Sequence, residues 1–335
     1  MVARHLPAGR DPVRCVVYRG VGGREVVAVE QRPDPQPDRF EVVIAPPFAG
    51  INPADVLQRE GKHPVPPGWP QDIPGLEVAG PVVAVGAAVT AFKVGDRAFG
   101  LVGGGGLATR VVANERELAP VPDALDGATA AAAPQSFLTA FDAVVIQGGL
   151  GVGDLLLVNG ASGGVGSAAV QIAVALGARV VANVRTPELR PRVGAMGAEA
   201  LPADKAFARV RELGGADVIL ELVGAPHMAD NMTALARRGR LMLVGAKPGE
   251  EAVVVLRDLM SARAQLIGST LRTRPSEQKA ALVQEFARRV VPMLASGRAT
   301  AAVGDVFALD DAAEALDHVR TAGRFGKVLL EMPAA

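Results

Sequence analysis

Residues 155–166 read Leu155-Leu156-Leu157-Val158-Asn159-Gly160-Ala161-Ser162-Gly163-Gly164-Val165-Gly166. Four apolar residues in a row suit a strand buried on both faces, as in parallel sheets. A glycine-dense turn follows, and Ser167–Leu176 then form a helical run stopped by Gly177. Strand, tight turn and helix together make the opening unit of a dinucleotide-binding sheet. In that unit glycines admit a pyrophosphate to the backbone, and the unpaired N–H groups of the helix start bind it.

The glycine fingerprint is met as Ala161-x-Gly163-x-x-Gly166, with alanine in the first place. Its context strengthens it, because the next apolar run, Ala178–Asn183, arrives where the second strand of such a unit belongs. The ribose-reading residue falls at the end of that strand, about 20 residues after the glycines. An acid there would favour NAD; Asn183 stands there instead, followed by Arg185, Arg190 and Arg192. Missing carboxylate and neighbouring guanidinium groups suit a 2′-phosphate, so NADPH is the expected cofactor. A solvated arginine cluster on a helix start is the alternative reading.

At 335 residues the chain exceeds what one core usually supports, so two domains are expected. Lys+Arg and Asp+Glu both number 35, which leaves no global field to recruit nucleic acid or an anionic membrane. No apolar run approaches the roughly 20 residues that span a bilayer. The start lacks the apolar stretch of a signal peptide, and the cytoplasm is the expected compartment. The single cysteine, Cys15, can make neither an internal disulfide nor a multi-cysteine zinc site, and its apolar run marks it as a small buried hydrophobe.

Outward from the glycine turn, the chain divides by pattern. Val13–Tyr18, Glu25–Val29 and Phe40–Ala45 are short β-rich runs, and Pro81–Val85 is a further strand. A short helix within Gly50–His63 leads into the proline-rich stretch Pro64–Pro74. From about residue 126 alanine-rich helices, Gly127–Ala133 and Ser136–Gln147, lead into the glycine unit. Strands at 180–183, 217–223, 240–244 and 265–269 then follow, with a helix at Met228–Ala236, a doubly wound pattern. Helices at Glu277–Ser296 and Asp311–Thr321 precede a closing strand, Lys327–Glu331. A β-rich domain interrupted by the nucleotide domain fits this order.

Several segments carry a family likeness: Asn52-Pro53-Ala54-Asp55, Gly75-Leu76-Glu77-Val78-Ala79-Gly80, Val94-Gly95-Asp96-Arg97, Ala132–Ala140, Asn159–Gly166, Gln171-Ile172-Ala173 and Gly326-Lys327-Val328. Through nearly its whole length the chain resembles the zinc-independent quinone oxidoreductases, the zeta-crystallin-like branch of the medium-chain dehydrogenase/reductase superfamily. The resemblance implies an α/β fold in which a Rossmann doubly wound parallel sheet, residues 130–275, is inserted into a GroES-like β-rich catalytic domain, residues 1–129 and 276–335. It also implies NADPH in the cleft between them and a homodimer paired through the Rossmann sheets. Zinc-dependent relatives carry a cysteine near Asn52, a histidine in place of Leu76 and a four-cysteine lobe. Those residues are missing here, so no metal ligands are assigned and alcohol oxidation at zinc is not expected.

By the same resemblance, Asn52 approaches the nicotinamide and Thr139 the ribose or phosphates. Ser162, Gly163, Gly164, Val165 and Gly166 cradle the pyrophosphate, and Arg185, Thr186 and Arg190 surround the 2′-phosphate. Val223-Gly224, Val244-Gly245-Ala246 and Ser269-Thr270-Leu271 line the nicotinamide side, and Lys327 lies close to the cofactor. Many relatives place a tyrosine where Lys62-His63-Pro64 stands. His63 takes that place, either as donor to the acceptor's carbonyl oxygen or as a loop residue without a role. Of the other histidines, His5 falls at the chain start, and His227 and His318 fall on helices away from the cleft. Trp69 and the neighbouring prolines are either acceptor-pocket or loop-packing residues.

The expected chemistry is hydride transfer from NADPH to a small conjugated carbonyl compound, a quinone or, with the same apolar slot, an enone or enoyl thioester. Two readings from other classes stay open. Gly160-Ala161-Ser162-Gly163-Gly164 also satisfies the hydrolase pattern G-x-S-x-G, with Asp217 and His227 following in a workable order and Gly103–Gly106 as an oxyanion loop. A catalytically weak NADPH-binding protein is the third.

Overall fold

Six parallel strands form one sheet in the order Glu199–Leu201, Arg179–Asn183, Leu155–Asn159, Ala216–Glu221, Leu235–Leu243, Gln265–Gly268. The computed structural model describes residues 12–246, 249–321 and 323–333; the reading of His5 lies outside the described residues. Leu155–Asn159 is central, and all five of its residues are buried. Its side chains alternate between two cores. Leu156 and Val158 join Ala168, Ala169, Ile172 and Ala173 of the helix Gly164–Ala175. Leu155 and Leu157 join Ala206, Phe207 and Val210 of the helix Ala203–Glu212 on the opposite face. A strand covered by helices on both faces has no use for polar alternation, which is why it reads as an unbroken apolar run.

The remaining strands form antiparallel and mixed sheets. Val13–Tyr18 pairs with Val27–Arg32. A five-stranded sheet runs Val111–Asn114, Glu41–Ile44, Glu77–Val85, Arg97–Leu101, Leu118–Pro120. A three-stranded sheet puts Lys327–Glu331 between Val303–Ala308 and Phe48–Gly50. This last sheet joins the two ends of the chain, so the β-rich part closes around the inserted parallel sheet, as the segment order leads one to expect.

Several details differ from the sequence reading. The strand read from Arg240 spans Leu235–Leu243 and so shortens the preceding helix to Met228–Ala234. The strand placed at Pro81–Val85 begins at Glu77, because Pro81 sits where the strand exchanges one partner for the other: Glu77–Pro81 pair with Arg97–Leu101, and Val82–Val85 with Glu41–Ile44. The helix read as Ser136–Gln147 is α-helical only through Phe141 and continues as a π-turn, Asp142–Gln147. The helix read as Glu277–Ser296 breaks after Arg289, ahead of Pro292, which has no N–H to offer. Among the described residues no helix is long and apolar enough to cross a membrane.

Candidate active site

The sheet's order reverses between Leu155–Asn159 and Ala216–Glu221, and loops leaving the carboxyl ends of strands there form the ligand crevice of doubly wound folds. The glycine turn lies at this point. Gly166 is required by the fold itself, since a Cβ there would lie 2.3 Å from Gly160 O and 2.7 Å from Ala161 Cα. Gly163 is different. Its φ of −78° suits any residue, and a Cβ would meet only Gly160 O at 3.6 Å. The protein leaves room there that nothing of its own fills. Helix Gly164–Ala175 starts at Gly163 with no side-chain cap and no acid in its first turn, and its leading N–H groups are suited to a phosphate.

A buried polar network runs beneath the same loops. Asn183 donates to Asn159 Oδ1 at 3.0 Å, and Asn159 donates to Glu221 Oε2 and Asn231 Oδ1, both at 2.8 Å. Glu221 Oε1 accepts the N–H groups of Val223 at 2.6 Å and Gly224 at 2.9 Å. Burial pushes Glu221 upward, but His227, Asn231 and these two N–H groups together hold it below the usual carboxylate range. Asn183 therefore faces inward. The exposed position at the end of its strand belongs to Arg185. Arg190 reaches back over Thr186 to donate to the carbonyls of Val184 at 3.1 Å and Arg185 at 3.4 Å, so it shapes the loop that presents Arg185. His227 lies on a short 3-10 turn, Ala225–His227, rather than on the helix that follows, with Nδ1 3.4 Å from Glu221 Oε2. His318 does lie apart, paired with Asp305 at 2.8 Å.

Between the two halves lies a cleft of about 140 Å³. His63, Leu76 and Val102 line it from the β-rich side; Thr139, Val244 and Ser269–Arg272 line it from the other. Thr139, near the end of helix Pro134–Phe141, is buried and its Oγ1 has no hydrogen-bond partner. Burial, with help from the Arg272 charge, lowers the His63 imidazole below its ordinary value, so at neutral pH it is a neutral group with one N–H to give. Gly245 and Ala246 continue from Val244 off the end of strand Leu235–Leu243. Ser269 is tied to Asp142, Gln147 and Arg274, with the Arg274 fork on both Asp142 oxygens at 2.7 Å.

Asn52 and Lys327 meet at one carboxylate. Glu77 Oε1 accepts from Asn52 Nδ2 at 2.8 Å and pairs with Lys327 Nζ at 2.5 Å, while Oε2 accepts Gln135 N at 2.9 Å. Lys327 also donates to Asn52 Oδ1. Asn52 starts the helix Pro53–Arg59, and Asp55 Oδ2 accepts its N–H at 2.7 Å in a capping box. Among the described residues no three His, Cys, Asp or Glu side chains gather as a metal site requires.

The hydrolase reading fails on geometry. Asp217 Oδ2 accepts the N–H of Leu155, where the central strand begins, whereas Ser162 follows its far end. His227 is engaged with Glu221. Trp69 does not line the cleft itself but packs on Gly103 and under the ammonium of Lys279, which does line it, 5.6 Å from the ring centre. Cys15 is fully buried, its thiol pushed up to about 11 by burial.

Comparison with known proteins now decides the family. The model described as "Alcohol dehydrogenase GroES-like domain" matches residues 38–123, and "Zinc-binding dehydrogenase" matches residues 164–288. The chain is 32% identical to the quinone oxidoreductase of Lama guanicoe over 335 residues, covering 97% of this chain and 99% of the relative. The chain belongs to the quinone oxidoreductase family of the medium-chain dehydrogenase/reductase superfamily. The human quinone oxidoreductase is 31% identical over 337 residues, with 97% and 99% covered. Among solved structures, the quinone oxidoreductase of Thermus thermophilus, determined also with NADPH, is 33% identical with a TM-score of 0.81 over 95% of this chain and 99% of that one.

In this quinone oxidoreductase family member, sequence reasoning missed four residues that shape the site. Glu77 falls inside a motif, and nothing in the sequence marks it as the partner of Lys327. Gln135 lines the cleft and ties its backbone to Glu77. Asp142 clamps Arg274. Arg272 reaches from the cleft's Rossmann side to Gly103 O at 2.9 Å, His63 O at 3.2 Å and Gln58 Oε1 at 2.6 Å. An arginine in a loop after a strand gives no sequence signal that it is buried.

Proposed function

We propose that this chain is an NADPH-dependent oxidoreductase that reduces a quinone. The observation that carries the reading is the cleft, where the unpartnered Thr139 hydroxyl, His63 and the ends of two parallel strands meet. The residues fit the cofactor: unfilled space at Gly163, an uncapped helix start and an exposed Arg185 lie along one edge of the sheet. Bound NADPH supplies the hydride.

The chain's own residues hold and orient. Ser162 and Gly164–Gly166 offer N–H groups to the pyrophosphate, Gly163 leaves it room, and Arg185 with Thr186 takes the 2′-phosphate on the loop that Arg190 braces. Thr139 gives its hydroxyl to the cofactor. Val223-Gly224, Val244–Ala246 and Ser269–Leu271 form the wall behind the nicotinamide, and Asn52, fixed by Glu77 and Lys327, faces it. Leu76, Leu101 and Val102 exclude water from the acceptor slot. His63 donates a hydrogen bond to the acceptor oxygen where negative charge develops.

A homodimer belongs to the same proposal. Strand Gln265–Gly268 is a sheet edge. Beside it the helix Leu256–Ala262 buries none of its residues, and Val253, Leu256 and Met260 are 85%, 68% and 75% exposed. An open edge with apolar surroundings calls for a partner strand.

Steady-state oxidation of NADPH and NADH with a panel of quinones and enones tests the function. Turnover is expected with NADPH and quinones. Faster turnover with enones moves the acceptor to a conjugated C=C, and no oxidation with any acceptor overturns the proposal.

A further inference from the structure

Two cationic side chains, Arg272 and Lys279, line the cleft, and no carboxylate does. They differ in what surrounds them. Lys279 Nζ is 2.7 Å from Glu117 Oε2, and that ion pair is buried, so its charge is compensated where it stands. Arg272 is 8% exposed and bonds only to neutral oxygens, those of Gly103, His63 and Gln58. Among the described residues no carboxylate lies within ion-pair distance of it. Asp55 and Tyr18 act on it only through space; the Asp55 oxygens are taken by the N–H groups of Asn52 and Gly75, and the Tyr18 hydroxyl by Asp55 O. A guanidinium has five N–H donors, so three used here leave two.

A buried cation without a counter-ion is costly, and folded proteins normally pair it. At the wall of a ligand cleft, the counter-ion can be the ligand. The planar fork of arginine suits a carboxylate or a similar oxyanion better than it suits a neutral carbonyl. His63 stands beside it as a neutral group, so the cleft's net charge at neutral pH is that of Arg272.

We propose that Arg272 makes the cleft a site for an anionic acceptor, a quinone bearing a carboxylate or comparable oxyanion, and that it sets the preference for such acceptors over neutral ones. This inference rests on the reading of the cleft as the acceptor site. The acceptor lies with its anionic group toward Arg272 and its reducible carbonyl toward His63, which lines the same cleft. Arg272 thus joins the two halves through Gly103 and Gln58 and reads the substrate through its remaining donors.

The test compares a naphthoquinone sulfonate with the unsubstituted naphthoquinone at saturating NADPH. It uses the wild-type chain, Arg272→Met, which loses charge and fork, and Arg272→Lys, which keeps the charge. The ratio of kcat/KM for the sulfonate to that for the neutral quinone should fall about tenfold in Arg272→Met and stay within about threefold in Arg272→Lys. Equal losses for both acceptors in Arg272→Met would mean that Arg272 is a structural strap, and would overturn the proposal. If Arg272→Met does not fold, the wild type still decides. The chain has a formal net charge of zero, so a fall in kcat/KM with rising ionic strength for the sulfonate alone reports a local cation; the same salt response for both acceptors overturns it. Calorimetry on the NADPH-saturated protein separates this inference from the function it rests on. Naphthalene sulfonate should bind about tenfold tighter than naphthalene sulfonamide. That preference without any NADPH oxidation would overturn hydride transfer and leave the anion site standing, whereas oxidation of neutral quinone without that preference would overturn the anion site alone.

Discussion

Lys327 and Glu77 form a buried ion pair, Nζ to Oε1 2.5 Å, that ties the closing strand of the chain to the strand after the proline-rich loop. Both are among the buried charged residues, at 7% and 1% exposure, and Asn52 bridges them. Removing one member leaves the other charged in a dry site. Glu77→Gln should therefore lower the free energy of unfolding by about 3–5 kcal/mol. Urea denaturation measures it; a loss under about 1 kcal/mol would show that the pair is compensated elsewhere.

Gly163 and Gly166 should separate under the same substitution. Gly166→Ala pushes a methyl into Gly160 O and should destabilise the fold, whereas Gly163→Ala adds it to open space. Gly163→Ala should melt with the wild type yet bind NADPH at least about tenfold more weakly. Equal NADPH affinity would remove the pyrophosphate from this turn.

Thr139→Val makes a sharper test, because the two expected effects have opposite signs. The buried hydroxyl has no partner in the free protein, and an unmet buried hydroxyl costs about 1–3 kcal/mol. The variant should be at least as stable as the wild type without cofactor and should bind NADPH less tightly. Lower stability with unchanged binding would show that the hydroxyl serves the fold.

The pH response has a worked sign. Burial carries the Asp55 carboxyl up to about 6, against the pull of the Asn52 and Gly75 N–H groups and of Lys327. A carboxyl that titrates higher folded than unfolded contributes stability that is complete below about pH 4 and lost as pH rises through 6, a loss of about 3 kcal/mol. Relative to Asp55→Asn, the wild type should lose that amount between those limits in urea denaturation; a constant difference contradicts it. His63 runs the other way. Its folded value lies below 6.5, so its contribution is present above that pH and fades as pH falls through the lower folded value. His63→Gln should raise the acceptor KM and leave NADPH binding unchanged.

The framework was legible where local pattern and final environment agree. Leu155–Asn159 announces itself because both its faces are covered, and Val13–Tyr18 begins and ends where the apolar run does. The site was legible only in part. Asn183 falls at the ribose-reading place in the chain, yet Asn159 draws its side chain inward, and the surface there passes to Arg185. The contact of His227 with Glu221 has no sequence signal, because a helix assignment says nothing of the carboxylate that the parallel sheet brings against it. Glu77, Gln135 and Arg272 act through partners far along the chain, and no spacing rule announces such pairs. What the sequence carries poorly is which side chains the packing of two domains leaves dry.

The central claim is tested most directly by following the absorbance of reduced nicotinamide when NADPH or NADH meets a quinone, with the wild type and Arg185→Ala side by side. The account predicts oxidation that requires both enzyme and quinone, and a preference for NADPH that falls about tenfold in Arg185→Ala while NADH turnover holds. Wild-type protein that oxidises neither coenzyme, with any quinone, would contradict it.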